Sequence, residues 1–161
     1  MPKRLVSYRR NKRLVEAFSD AGVPFIVIGG TAMQFHFPER VPDDLDIVVA
    51  PTVEAGRRLL VALAAVGHPG NFTAEEYPQN SRPASIRLKP PNSRLYADVL
   101  RAAPWFNFDE QLNDAHDALL FNTPVKVASR RALLLCIEHI ENPTAKNLRD
   151  MELLRRAAGE G

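Results

Sequence analysis

Phe25-Ile26-Val27-Ile28-Gly29-Gly30-Thr31-Ala32 and, after a short connection, Asp44-Leu45-Asp46-Ile47-Val48-Val49 form the stretch from which the rest of the chain can be read. The four apolar residues make a short buried strand, and the small residues after them lead into a helix expected over 31–37, stopped before Pro38. With no Cβ at 29 and 30, a phosphate can approach the backbone N–H groups of the turn, and the helix dipole favours negative charge there. In the second strand side chains alternate, so Asp44 and Asp46 share one face while Leu45, Ile47 and Val49 fill the core. Carboxylates held side by side on a buried strand repel each other and lose hydration, a cost that a bound cation removes. Magnesium suits such a site, because it takes hard oxygen ligands and shares them with phosphate groups.

Gly29-Gly30-Thr31 followed by Asp44-x-Asp46 resembles the signature of the polymerase-β-like nucleotidyltransferases. The longer string, Ile28-Gly29-Gly30-Thr31-Ala32, then His36, Arg40 and Asp44-Leu45-Asp46-Ile47, is most similar to the bacterial branch that contains the AbiEii-type toxin enzymes. The resemblance implies an α/β (α+β) fold: a mixed sheet flanked by helices, with a C-terminal hairpin and two helices. It also gives meaning to Asp98, which lies between Ala97 and Val99 and by itself reads as an edge charge. The family places a third acid on a strand neighbouring the pair, in the same hydrophobic-acid-hydrophobic setting.

By the same resemblance, Gly29, Gly30 and Thr31 seat the β- and γ-phosphates of a nucleoside triphosphate. Asp44, Asp46 and Asp98 are the catalytic acids and the ligands of Mg2+, two ions in all, and a hydroxyl attacks the α-phosphorus as pyrophosphate leaves. Arg40 and Lys146 are expected to contact the triphosphate; Arg40 also reads as a surface arginine paired with Glu39 or Asp43, and Lys146 as one half of an i, i+4 pair with Asp150. The expected product is a nucleoside monophosphate joined to RNA or tRNA, with toxin-like consequences and an antitoxin protein as partner. Protein and small-molecule acceptors stay open, as does a non-catalytic partner-binding protein on the same fold. A lysine common in the family's penultimate helix has no counterpart among Cys136, Ile137 and Glu138.

Outward from this centre, Leu14, Ala17, Phe18 and Ala21 recur at helical spacing, which predicts a first helix over 5–21 ended by Gly22 and Pro24. A second helix is expected over 52–67, with Leu59, Leu60, Leu63 and Val66 inward and Gly67 as its stop. The polar stretch 68–83 reads as a connection, on the surface or over the site. Strands over 85–89 and 94–100 flank the turn Pro90-Pro91-Asn92-Ser93, and a helical turn or two is expected within 104–117 around Phe106, Leu112 and Ala115. Residues 118–127 predict a hairpin turning at Asn122-Thr123-Pro124. Ser129 is expected to cap a helix that is apolar nearly all round from Leu133 to Ile140 and therefore buried, and Thr144 a last helix with Leu148, Met151 and Leu154 inside.

A chain of 161 residues makes one domain, read here as a core over about 1–103 with the elements of 118–158 packed on it. The 45% hydrophobic and 25% charged composition belongs to a globular protein, and the lone Cys136, in an apolar run, reads as a buried inert thiol. No apolar segment is long enough to span a bilayer, and the basic N-terminus has no apolar stretch after it, so the expected location is the cytoplasm. The four histidines have no zinc-ligand spacing. The net charge is only +2, but Lys3, Arg4, Arg9, Arg10, Lys12 and Arg13 crowd the start of the chain, either as a nucleic-acid or acidic-partner footprint or as a solvated helix face.

Overall fold

Phe25–Ile28 (β2) and Leu45–Val49 (β3) lie antiparallel at the middle of a mixed sheet. The computed structural model describes residues 2–41, 44–79, 85–91 and 93–160. The other strands are Lys3–Leu5 (β1), Ser85–Leu88 (β4), Ala97–Arg101 (β5), His116–Leu120 (β6) and Thr123–Val127 (β7), and their order across the sheet is β1-β6-β7-β2-β3-β5-β4. Six helices accompany them among the described residues: Lys12–Ala21 (α1), Gly29–His36 (α2), Val53–Ala65 (α3), Phe108–Asp114 (α4), Arg130–Glu138 (α5) and Ala145–Glu160 (α6). The chain is thus an α/β protein, a mixed sheet flanked by helices and ending in a hairpin and two helices, as the sequence leads one to expect. None of the described helices is long and apolar enough to cross a membrane.

Strand alternation divides the sheet into two unlike faces. On one, Leu45, Ile47 and Val49 are fully buried beside Ala97 and Val99, and Phe18 of α1 meets Phe25 edge to face at 5.5 Å. Helix α3 packs on α1 over this face. The other face carries Ile28, Asp46, Val48, Asp98 and Leu100 in register, and here α2, α5 and α6 leave a cleft. The expected caps are present, with Ser129 Oγ accepting from Ala132 N at 3.1 Å and Thr144 Oγ1 from Asn147 N at 3.1 Å, while Thr52, expected inside its helix, caps it by accepting from Ala55 N at 3.0 Å.

Several expectations are corrected. The first helix begins at Lys12, not near residue 5, because the i, i+3, i+4 pattern has no apolar member before Leu14. Lys3–Leu5 pairs instead with β6 in parallel as an edge strand, burying Leu5. The basic cluster is dispersed by this arrangement: Lys3 lies 4.7 Å over Phe35, Arg10 5.4 Å over Tyr96, and Arg13 donates to Ala65 O at 2.8 Å. The second strand of the 85–100 pair starts at Ala97, not at 94. Just before it, the buried Asn11 amide substitutes for a strand neighbour, accepting from Tyr96 N at 2.8 Å and donating to Tyr96 O at 2.9 Å.

The hairpin turns at Phe121 and Asn122, both at positive φ (52° and 64°), so Thr123 and Pro124 belong to β7. This hairpin widens the main sheet, since β7 lies beside β2 with Val27 opposite Val127. Helix α5 is not buried all round: Leu133 and Ile137 are inside, but Leu134, Leu135 and Cys136 are half-buried and Ile140 is exposed. Cys136 and Ile140 line the cleft, while Leu134 and Leu135 pack against the core. Leu148 is exposed on α6, while Leu154 is buried and Met151 packs against the core. The connection 68–83 is described as far as Gln79, where Tyr77 packs against Gly56 of α3; its remainder, Asn92 of the expected turn, and Pro42 and Asp43 lie outside the described residues.

Candidate functional site

Asp46 and Asp98 are side by side on the parallel strands β3 and β5, and Ile28, the residue before Gly29, is the opposite neighbour of Asp46 on β2. That register places both acids and the start of α2 on the floor of one cleft of about 600 Å³. Gly29 turns with φ +65°, and the Asp46 carboxylate lies over the space a side chain at 29 would take. Helix α2 has no side-chain cap at its N-terminus and no acid in its first turn, so its first N–H groups stay available to an anion. Thr31, by contrast, is fully buried, and its Oγ1 has no hydrogen-bond partner within the protein.

Burial pushes the Asp46 carboxyl up to about 7, the negative charges of Asp98 and Asp44 add to this, and Lys89 works against it. Lys89 is the residue that sequence reading missed. It follows β4 on the same face as Arg87, and its Nζ lies 2.6 Å from Asp44 Oδ2 and 3.2 Å from Asp98 Oδ2. Arg87 Nε stands 3.5 Å from Asp98 Oδ1, a buried oxygen without a hydrogen bond. The alternation Ser85, Arg87, Lys89 was visible in the sequence, but only the β4–β5 register, with Arg87 opposite Asp98, shows which acid those cations meet.

Magnesium, which the resemblance implies, can be tested against this donor set. Three hard-oxygen side chains converge, one partly neutralised by burial and then by repulsion, and one with an orphaned buried oxygen, and that chemistry fits a divalent cation. Among the described residues no group of three or more His, Cys, Asp or Glu side chains is arranged to hold a metal ion as the structure stands. The Lys89 ammonium lies between Asp44 and Asp98 as their countercharge. Lys89→Met is therefore expected to lower the stability of the ion-free protein at pH 8 by about 1–2 kcal/mol, and added magnesium to raise its melting temperature more than that of the parent. Identical melting behaviour of the two proteins, with and without magnesium, would refute a countercharge role.

Arg40 and Lys146 sit differently. Arg40 Nη2 lies 2.8 Å and 3.0 Å from the two oxygens of Asp150 on α6, so this arginine ties the connection before β3 to the last helix. It is paired with neither Glu39 nor, among the described residues, any nearer acid. Asp150 is only 6% exposed, so Arg40→Met strands a buried charge and is expected to cost about 2 kcal/mol, of which Arg40→Met/Asp150→Leu recovers most. Equal losses in the single and double variants, read by urea denaturation, would assign the effect to packing of the arginine stem. Lys146 and Asp150 both line the cleft from α6.

Other residues fall away from the acids. His36 donates Nε2–H to Ala128 O at 2.8 Å and packs on Phe35 and His116; burial lowers its pKa, so it is a neutral strut between α2 and the end of β7. Cys136 lines the cleft, but burial pushes its thiol up to about 12, which leaves it protonated and unreactive. The far wall is aromatic: Trp105 and His139 stack there. Nothing in the periodicity of 102–107 or 138–142 announced that pair. Scanned against models of known protein families the chain matches none, and a search of curated proteins finds no relative.

Proposed function

We propose that the chain is a magnesium-dependent nucleotidyltransferase, moving a nucleoside monophosphate from a nucleoside triphosphate to a hydroxyl acceptor. The observation that carries this reading is the register of Asp46 against Asp98, beside an uncapped helix start with a glycine turn, on the floor of one cleft. The Gly29-Gly30 backbone binds phosphate oxygens. Asp44, Asp46 and Asp98 hold magnesium, which when bound neutralises charge on the triphosphate and on the entering and leaving oxygens. Thr31, the third residue of the phosphate seat, is fully buried, with its Oγ1 unpartnered within the protein.

In the transfer, the acceptor oxygen forms a bond to the α-phosphorus, the bond from that phosphorus to the bridging oxygen breaks, and pyrophosphate leaves with the electron pair. Asp98, on the open side of the pair next to Arg87, takes the acceptor proton. Lys146, in the first turn of α6, faces the leaving phosphates from across the cleft. With α5 presenting Cys136 and Ile137 there, cationic help comes from Lys146 and Lys89. RNA, including tRNA, is the acceptor class that the AbiEii-like resemblance favours, and a toxin of that kind implies an antitoxin partner.

The test incubates the purified protein with each α-labelled nucleoside triphosphate, magnesium and, in turn, RNA and total protein, beside Asp44→Asn and Asp46→Asn. Label reaching RNA only with intact acids supports the reading. Transfer to protein or to a small molecule keeps the chemistry and changes the acceptor. A tight protein complex that survives Asp44→Asn, with no transfer to any pool, replaces the enzyme by a binding module.

A further inference from the structure

Trp105 is the single tryptophan of the chain, and it remains 41% exposed at the end of the cleft opposite the acids' glycine turn. Its ring lies parallel to the His139 imidazole, with centroids 3.9 Å apart and planes within 6°. Phe106, buried, meets the indole at 81° and fixes it to the core. His139 is held in turn, because its Nδ1–H donates to Leu135 O at 2.9 Å just past the end of α5. Two flat rings are therefore locked by different elements into one stack, and that stack lines the same cavity as Asp46, Asp98, Gly29 and Gly30.

An exposed tryptophan held this rigidly loses little conformational entropy when a second flat surface covers it, so the arrangement favours a planar aromatic ligand over a flexible one. The rest of the cavity narrows the choice. Arg87 and Lys146 give it cationic walls, and the uncapped start of α2 suits an anion, so the ligand combines a flat heterocycle with phosphate. We infer that Trp105, backed by His139, is the platform on which the nucleobase of a bound nucleoside triphosphate stacks. The inference rests on the nucleotidyltransferase reading and adds to it the residue that holds the base, and it leaves the choice among bases open because every base has a π-face.

The emission of the one tryptophan reports the stack directly. Titrating ATP, CTP, GTP and UTP into the magnesium-loaded protein is expected to quench Trp105 fluorescence, whereas inorganic triphosphate and ribose 5-phosphate leave it unchanged. Trp105→Ala is expected to weaken nucleotide binding, read by equilibrium dialysis, about ten- to a hundredfold, and Trp105→Phe only a few-fold, since a smaller ring still stacks. A short single-stranded RNA is the parallel arm: quenching by RNA and by no free nucleotide would overturn the assignment to the triphosphate and give the platform to the acceptor's base. Absence of quenching by either probe, or equal quenching by inorganic triphosphate, overturns the platform itself, whether or not Trp105→Ala folds. The two readings separate in Asp46→Asn. Retained quenching without transfer upholds the platform, and transfer by the parent with no quenching upholds the enzyme alone.

Discussion

Asp46→Asn is expected to stabilise the ion-free protein above pH 7 and to abolish the proposed nucleotidyl transfer. The folded state raises this carboxyl to about 7, against an ordinary value near 4. Below that ordinary value the acid is protonated in both folded and unfolded chains and has no effect on the balance. Between the two values the folded state keeps a proton that the unfolded chain has released, so stability falls as pH rises through this window, and it levels off above 7. An amide carries no charge at any of these pH values, and its N–H donates to Asp98 much as the protonated acid does.

The variant therefore gains most at pH 8, by about 1–3 kcal/mol, and little at pH 4.5. Urea denaturation at both pH values with a chelator present measures the difference, and other titrating groups cancel in the comparison. Transfer activity is expected to drop at least ~1,000-fold, the scale on which a metal-holding or charge-stabilising group acts. A variant less stable than the parent at pH 8 would remove the claim that the site is strained by its own carboxylates. The pairing of gained stability with lost activity is what separates a working site from a structural ion cluster, since removing a structural ion pair destabilises.

The parts of this architecture that could be read from sequence are those set by local rules. β2, β3 from Leu45 onward, and the caps Ser129 and Thr144 follow from side-chain alternation, chain stops and capping chemistry. What escaped depends on partners distant in the chain. Lys3–Leu5 is too short to have a period of its own and becomes a strand only because β6 offers an edge, and Asn11 shortens β5 by bonding the backbone of a residue far along the sequence. Cys136 and Ile140 of the α5 region look like core in sequence because a helix facing an apolar cleft and a helix facing a core have the same composition.

The candidate site divides along the same line. The glycines and the acidic pair are adjacent enough in sequence to be seen together, and Asp98 takes its meaning from a strand register that the resemblance anticipated. Lys89 is spaced correctly for that face, but its effect on Asp44 and Asp98 requires the hairpin geometry. Arg40 is expected at the triphosphate from the resemblance, and its partner in space, Asp150 of α6, a lining residue of the cleft, cannot be read from the sequence around it. Trp105 and His139 come from different elements, and their stacking has no sequence signature at all.

Gly29→Ala is expected to cost about 3 kcal/mol and to disconnect Asp46 from Asp98. Two effects add. At φ +65° an L-residue carries a left-handed backbone penalty of roughly 1–2 kcal/mol. The new Cβ would also collide with Asp46 Oδ2 and stand 3.0 Å from its Cγ and 3.1 Å from its Cβ, so turning the carboxylate aside relieves only part of the contact and the side chain has to move. Gly67→Ala isolates the first effect, because Gly67 has φ +78° and nothing within 4 Å of a Cβ; its expected cost is about 1 kcal/mol with the site untouched. Thermal melts of the two variants therefore separate strain from collision, and equal losses would show that the contact with Asp46 contributes nothing. The displaced carboxylate gives a second readout: in Gly29→Ala the fall in stability between pH 4.5 and 8 flattens, while in Gly67→Ala it keeps the parent's slope. The glycine is thus required by the acid as much as by the turn, since the only residue that lets α2 begin at this point also leaves room for Asp46 to lie across the helix start, where an incoming phosphate and a cation would meet.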